Sequence, residues 1–221
     1  RAVLPKRARA SEAPCTVTDA FDAAADHYQK HRWAFVENIF EDDFHAALAR
    51  NYPPRRFLQP VAGLTKSYDR VSITDRNRDT FTPFPELLAL SDYLQAPAFE
   101  ARVSRIGGQD GFRTSGHLHL TRSWPGTFMI PHQDSALESD GIAAHINAIF
   151  FVAGSGGDNS GGLTLARDNE LRSVIFAPRN LTNTCLIYDI REPFFHGFNP
   201  IAAGKYRHAV IMNWQLKRET T

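Results

Sequence analysis

Two imidazoles and a carboxylate form the most informative pattern in this chain: His132 and Asp134 flank Gln133, and His196 follows far downstream. Such nitrogen and oxygen donors suit a divalent iron held on one face, with the opposite face open for chemistry. Arg207 lies beyond them in segment 206–214, which is otherwise almost free of charge. A buried guanidinium needs an anionic partner. The acids nearest in sequence are Asp189, Glu192 and Glu219, and a bound dicarboxylate is the better candidate. Taken singly, each residue is weak: a histidine is more often a core or surface side chain than a ligand, and a lone His-x-Asp occurs by chance. Company changes the odds. Phe194 and Phe195 precede His196 and Gly197 follows it, so the imidazole leaves an apolar strand end at a tight turn.

The elements that must position these residues fall into two parts. Residues 1–15 form a loose arm whose cations (Arg1, Lys6, Arg7, Arg9) read as a solvated terminus. Segment 16–112 is expected to be a helical support region. Thr18 caps a helix running to about Lys30, 33–36 is a short strand, and Asp42 or Asp43 opens a helix stopped by Pro53-Pro54. Segment 84–95 carries a leucine stripe, and Pro97 starts a further helix that Gly107-Gly108 ends. From about Arg113 the pattern changes to period two, as in 117–122 and parts of 209–214. The glycines of 154–162 read as a turn between strands, because no Gly-Lys-Ser/Thr follows to make a phosphate loop. Helices followed by strands predict one domain over 1–221, α+β and mainly β. Its core, 113–216, is a double-stranded β-helix (jelly roll) carrying the metal site.

Composition agrees with a compact enzyme: 221 residues, 43% hydrophobic, 22% charged, net charge +1. That balance offers no field for nucleic acid or a membrane surface, and no apolar run is long enough to span a bilayer. The expected partner is therefore a small-molecule substrate, with oligomeric state left open. Cys15 and Cys185 stand far apart without metal-type spacing and read as free thiols, which places the protein in the cytoplasm.

Five blocks in order carry a family resemblance. Segment 120–134 (LTRSWPGTFMIPHQD) has a strand ending in an aromatic-Pro-Gly turn shortly before His-x-Asp. Segment 145–152 (HINAIFFV) looks like the next core strand, 160–165 (SGGLTL) like a Gly-Gly turn with a short strand, and 204–214 (GKYRHAVIMNW) like the closing strand. With His196, these resemble the prolyl-hydroxylase-like branch of the iron(II)/2-oxoglutarate-dependent oxygenases, over 116–216.

The resemblance implies iron(II) on His132, Asp134 and His196, 2-oxoglutarate on two further coordination positions with its distal carboxylate on Arg207, and dioxygen on the last. It implies a dioxygenase that hydroxylates an unactivated C–H bond and releases succinate and CO2. Asp134 stands where halogenating relatives have a small residue, which favours oxygen transfer while leaving desaturation and ring closure open. If Arg207 points inward, period two puts Ala209, Ile211 and Asn213 on its face. The branch commonly has Trp where Asn213 stands, a departure that counts against a peptidyl-proline substrate. Asn147 shares a face with His145, Ile149 and Phe151, and either meets the 2-oxoglutarate carboxylate near iron or satisfies backbone. Trp124 replaces a Tyr of the aromatic wall. Phe150 or Phe151 replaces the Tyr that often assists the arginine, leaving Thr121, Arg122 or Thr164 for that task. The cations of 50–78 read mostly as solvated, with one or two available to a substrate carboxylate or phosphate. A protein side-chain (prolyl-type) hydroxylase is the alternative. A cupin-type metal protein using His117 and His119 is another, although its pattern wants a Glu where Trp124 and Pro125 follow.

Overall fold

The computed structural model describes residues 15–114, 116–134 and 142–217; the arm up to residue 14 and Glu219 lie outside them. The chain first builds α1 (Ala20–Ala23), α2 (Ala25–His31), β1 (Trp33–Glu37) and α3 (Asp42–Arg50). Next come β2 (Gln59–Ala62), β3 (Lys66–Ile73), α4 (Pro85–Gln95) and α5 (Pro97–Gly107). The strands β4 (Arg113–Thr114), β5 (Leu118–Ser123), β6 (Phe128–His132) and β7 (Ile142–Gly154) follow. The chain closes with β8 (Thr164–Ala166), β9 (Val174–Phe176), β10 (Thr184–Asp189), β11 (Phe195–Phe198) and β12 (Arg207–Lys217). Proline fits the first turns of α4 and α5 because the missing N–H has no intrahelical partner there. Gly108, at φ +71°, ends α5 in the left-handed conformation.

Twelve antiparallel strands form one curled sheet in the order β1-β10-β7-β12-β5-β3-β6-β11-β8-β9, with β2 on β3 and β4 on β12. The fold-over happens at β3, whose residues 69–73 pair with β5 while 66–67 pair with β6. The result is a jelly-roll half-barrel with helices on one outer face.

Strict alternation separates two cores. On the helix side lie Ala148, Phe150, Val152, Cys185, Ile187, Val210, Met212 and Trp214, packed with Phe40, Phe44, Leu90 and Phe99. On the barrel side lie Ile149, Phe151, Leu165, Leu186, Tyr188 and Ala209. Ring contacts tie the layers, Phe40 to Phe150 at 5.6 Å and Phe99 to Trp214 at 5.7 Å between centroids. Losing such a buried aromatic costs about 3–5 kcal/mol.

Two expectations change. Segment 16–112 is not purely helical: β1, β2 and β3 arise within it, and β3 is an internal barrel strand. Thr18 caps no helix; its hydroxyl donates to the Asn38 carbonyl at 2.8 Å, and the helix divides into α1 and α2 at Ala24. A threonine hydroxyl serves either a helix end or a neighbouring loop, and here the loop wins. The face of β12 opposite Arg207 is covered by helices, with Trp214 fully buried.

Candidate metal centre and anion pocket

Antiparallel pairing of β6 with β11 sets His132 directly opposite His196, their ring centroids 4.4 Å apart. Asp134 lies just beyond the end of β6, its Oδ1 3.5 Å from His196 Nε2 and 3.9 Å from His132 Nε2. One ligand atom from each of the three residues lies within 4.8 Å of the others, a spacing that one metal ion can bridge. Gly197 makes the strand approach possible: a Cβ there would sit 2.6 Å from the Met129 carbonyl oxygen and 2.9 Å from Pro131 N.

Local bonds orient the donors. His132 Nδ1 donates to the Ile130 carbonyl at 3.0 Å, which leaves Nε2 as the lone-pair nitrogen. Tyr188 donates from its hydroxyl to Asp134 Oδ2 at 3.3 Å, and Asn147 Nδ2 donates to that hydroxyl at 2.7 Å. Burial raises the Asp134 carboxyl, but the His196 hydrogen bond and the two imidazoles outweigh it and hold the group below its usual range. Asp134 therefore presents one anionic oxygen to the histidines while the other is tied back.

The triad opens into a cavity of about 360 Å³, on whose wall Arg207 also lies. Arg207 is 3% exposed. Its Nη1 donates to the Gly161 carbonyl at 2.7 Å, its Nη2 to Ser123 Oγ at 3.3 Å, and its guanidinium stacks over Phe198 at 4.6 Å. Among the described residues no carboxylate pairs with it, and its Nε has no partner. Asp189 is taken by Arg191 at 2.8 Å and Glu192 lies by Arg32 at 3.9 Å. Burial pulls the guanidinium down to about 10, so it remains charged at neutral pH. A buried, uncompensated cation is costly unless an anion completes it. The site fits a dicarboxylate reaching from the metal position to Arg207.

Thr121, Asn147 and Asn213 line the same cavity. Thr121 spends its hydroxyl on the Ala209 carbonyl at 3.3 Å, and Asn147 turns to Tyr188 rather than to backbone, its Oδ1 buried without a partner. Trp124 does not reach the cavity. The turn at Pro125-Gly126 carries its ring to the outer surface, where Arg55 lies 4.3 Å above it. Arg122 points outward too, donating to the Pro53 carbonyl at 2.9 Å, and Thr164 sits by the Gly-rich turn instead. In their place Tyr68, on β3, lines the cavity and acts electrostatically on Arg207. Sequence reading missed Tyr68 and Tyr188; Lys66 and Arg70 were among the cations of 50–78 read mostly as solvated, with one or two available to a substrate anion, and both line the cavity. The period-two series Lys66, Tyr68, Arg70, Ser72 was the available signal. His119 is no metal ligand: its Nδ1 accepts from Ser72 and Arg70, and among the described residues the grouping of metal-binding side chains is the His132–Asp134–His196 set.

No protein-family model matches the sequence, and no curated protein matches it. Solved structures do. A prolyl-4-hydroxylase from Pseudomonas putida is 18% identical with TM-score 0.63, over 90% of this chain and 99% of that one. A prolyl 4-hydroxylase from Phytophthora capsici is 15% identical with TM-score 0.68, over 97% and 70%. The epimerase SnoN of nogalamycin biosynthesis, solved with Fe3+, α-ketoglutarate and nogalamycin RO, is 12% identical with TM-score 0.62, over 89% and 84%. The chain has the jelly-roll fold of the 2-oxoglutarate oxygenases.

Proposed function

We propose that this protein is an iron(II)- and 2-oxoglutarate-dependent dioxygenase that hydroxylates an unactivated C–H bond of a small molecule. The carrying observation is that one cavity holds both the His132–Asp134–His196 set and a buried Arg207 without a carboxylate partner among the described residues. His132, Asp134 and His196 would hold the iron, and Arg207 the distal carboxylate of 2-oxoglutarate. When bound, these groups supply dioxygen activation and the oxidation of the C–H bond, with succinate and CO2 released. The chain itself binds and orients. Arg207 fixes the dicarboxylate through charge-assisted bonds, with Ser123 steadying the guanidinium. Tyr188 holds Asp134, and Ile149, Leu163 and Ile211 keep part of the wall apolar. The cavity volume suits a small ligand. Asn213 in the wall, rather than the Trp common in the prolyl-hydroxylase-like branch, weighs against a peptidyl-proline substrate. Two free cysteines, one of them buried, support the cytoplasmic placement.

Anaerobic titration tests the assignment. One iron per chain is expected, lost in His196→Ala; once dioxygen is admitted, succinate should be released from 2-oxoglutarate when candidate small molecules are screened. Absence of stoichiometric iron in the unaltered protein would refute it.

A further inference from the structure

β3 is internal to the barrel, yet its cavity face is ionic. Lys66, Tyr68 and Arg70 line the cavity, whereas the other face buries Asp69 against Arg55 at 2.7 Å and ends in the core residue Ile73. A strand paired on both sides gains nothing in stability from cations turned inward. Arg70 is also held in place. Its Nη2 donates to His119 Nδ1 at 3.0 Å, and Ser72 Oγ donates to the same nitrogen at 2.7 Å. Arginine has no acceptor, so His119 Nδ1 must accept and Nε2 carries the proton. Burial and the Arg70 charge together pull this imidazole down to about 4, so it is neutral at physiological pH. Arg70 is thus steadied by a partner that leaves its charge intact, and no carboxylate pairs with Arg70 or Lys66 among the described residues.

Position separates Arg70 from the Arg207 anchor. Along β5, Arg207 faces Ser123 and Arg70 faces Thr121, while the Arg70 guanidinium leans on to His119, away from the Ser123 end. The charges point the same way. The Asp134 carboxylate and the two carboxylates of 2-oxoglutarate offset a divalent iron and Arg207. Lys66 and Arg70 then remain as a surplus of positive charge on the cavity wall. From this wall, and resting on the oxygenase reading above, we infer that the substrate is an anion whose carboxylate or phosphate pairs with Arg70, with Lys66 adding to the field.

The test uses protein loaded with zinc(II) and N-oxalylglycine, a redox-inert stand-in for iron and 2-oxoglutarate, and calorimetric titration of three probes. Benzoate and phenyl phosphate carry the two anionic groups on one aryl body, and benzyl alcohol is the neutral control. At least one anion should bind about tenfold or more tightly than the alcohol, and the stronger of the two identifies the group recognised. Arg70→Met should remove most of that preference, Arg70→Lys should keep part of it, and Lys66→Met should remove a smaller part. N-oxalylglycine affinity should change by less than about twofold in these variants, since its carboxylate rests on Arg207. The inference fails if neither anion is preferred, if Arg70→Met leaves the preference intact, or if Arg70→Met weakens N-oxalylglycine instead. Failure of the unaltered protein to bind N-oxalylglycine at all would overturn the oxygenase assignment and this inference with it.

Discussion

The two faces of β7 and β12 share a backbone and do opposite work. Toward the helices, Phe150, Val152, Met212 and Trp214 are wholly buried among other apolar side chains. Toward the barrel, Asn147, Asn213 and Arg207 share the wall with Ile149 and Ile211, and Asn147 Oδ1 and Arg207 Nε stay unpaired. One face is apolar core, with Trp214 Nε1 as a buried polar atom left without a partner. The other gathers polar and charged groups around a cavity, so substitutions on the two faces should separate stability from binding.

The sharpest break is expected at His196→Ala: iron binding and turnover fall to background while the melting temperature moves little, because a ligand is lost without a large core volume. Metal analysis beside a melting curve checks both halves. A variant retaining stoichiometric iron would contradict the triad. Next comes Arg207→Ala, where losing one partner of a buried ion pair, roughly 3–5 kcal/mol, should raise the apparent 2-oxoglutarate constant by about two to four orders of magnitude. Arg207→Lys should fall between, keeping charge without the fork. Cosubstrate titration at saturating iron reads this, and an unchanged constant would place the anchor elsewhere.

On the helix face, Phe150→Ala should cost about 3–5 kcal/mol of stability yet leave iron stoichiometry intact below its lowered melting point. Chemical denaturation followed by metal analysis would show it, and loss of iron without loss of stability would collapse the distinction between faces. Smallest is Tyr188→Phe, which frees Asp134 Oδ2 and should weaken metal affinity about 10–100-fold without altering the fold. Competition with a chelator measures it; unchanged affinity would make the Tyr188 bond incidental.

What was legible follows from chemistry that leaves a periodic trace. The closing strand could be read because a single cation, Arg207, interrupts an apolar alternation that the helix layer demands. The His132, Asp134 and His196 set could be picked out through its neighbours and the order of the blocks around it, since the residue types alone recur by chance. β3 was not, because Lys66, Asp69 and Arg70 have the composition of a solvated loop; only cavity and ion pair explain such residues inside a barrel. Trp124 was misplaced for a different reason. Its distance from His132 in sequence says nothing about which side of the wall a turn leaves its ring on. Tyr188 comes from a strand remote in sequence from the motif, and Tyr68 left only the period-two series of β3 as a trace.

β12 is late in the chain yet lies between β7 and β5, at the middle of the sheet rather than its edge. During synthesis those two strands are made first and cannot complete their pairing until segment 207–217 emerges. Long-range closure of this kind is slow to form, and until then β5 and β7 each carry an open hydrogen-bonding edge. The same segment brings Arg207. A chain shortened before it would therefore lose anion recognition and barrel closure together, exposing edges that aggregate instead of persisting as a folded, inactive enzyme.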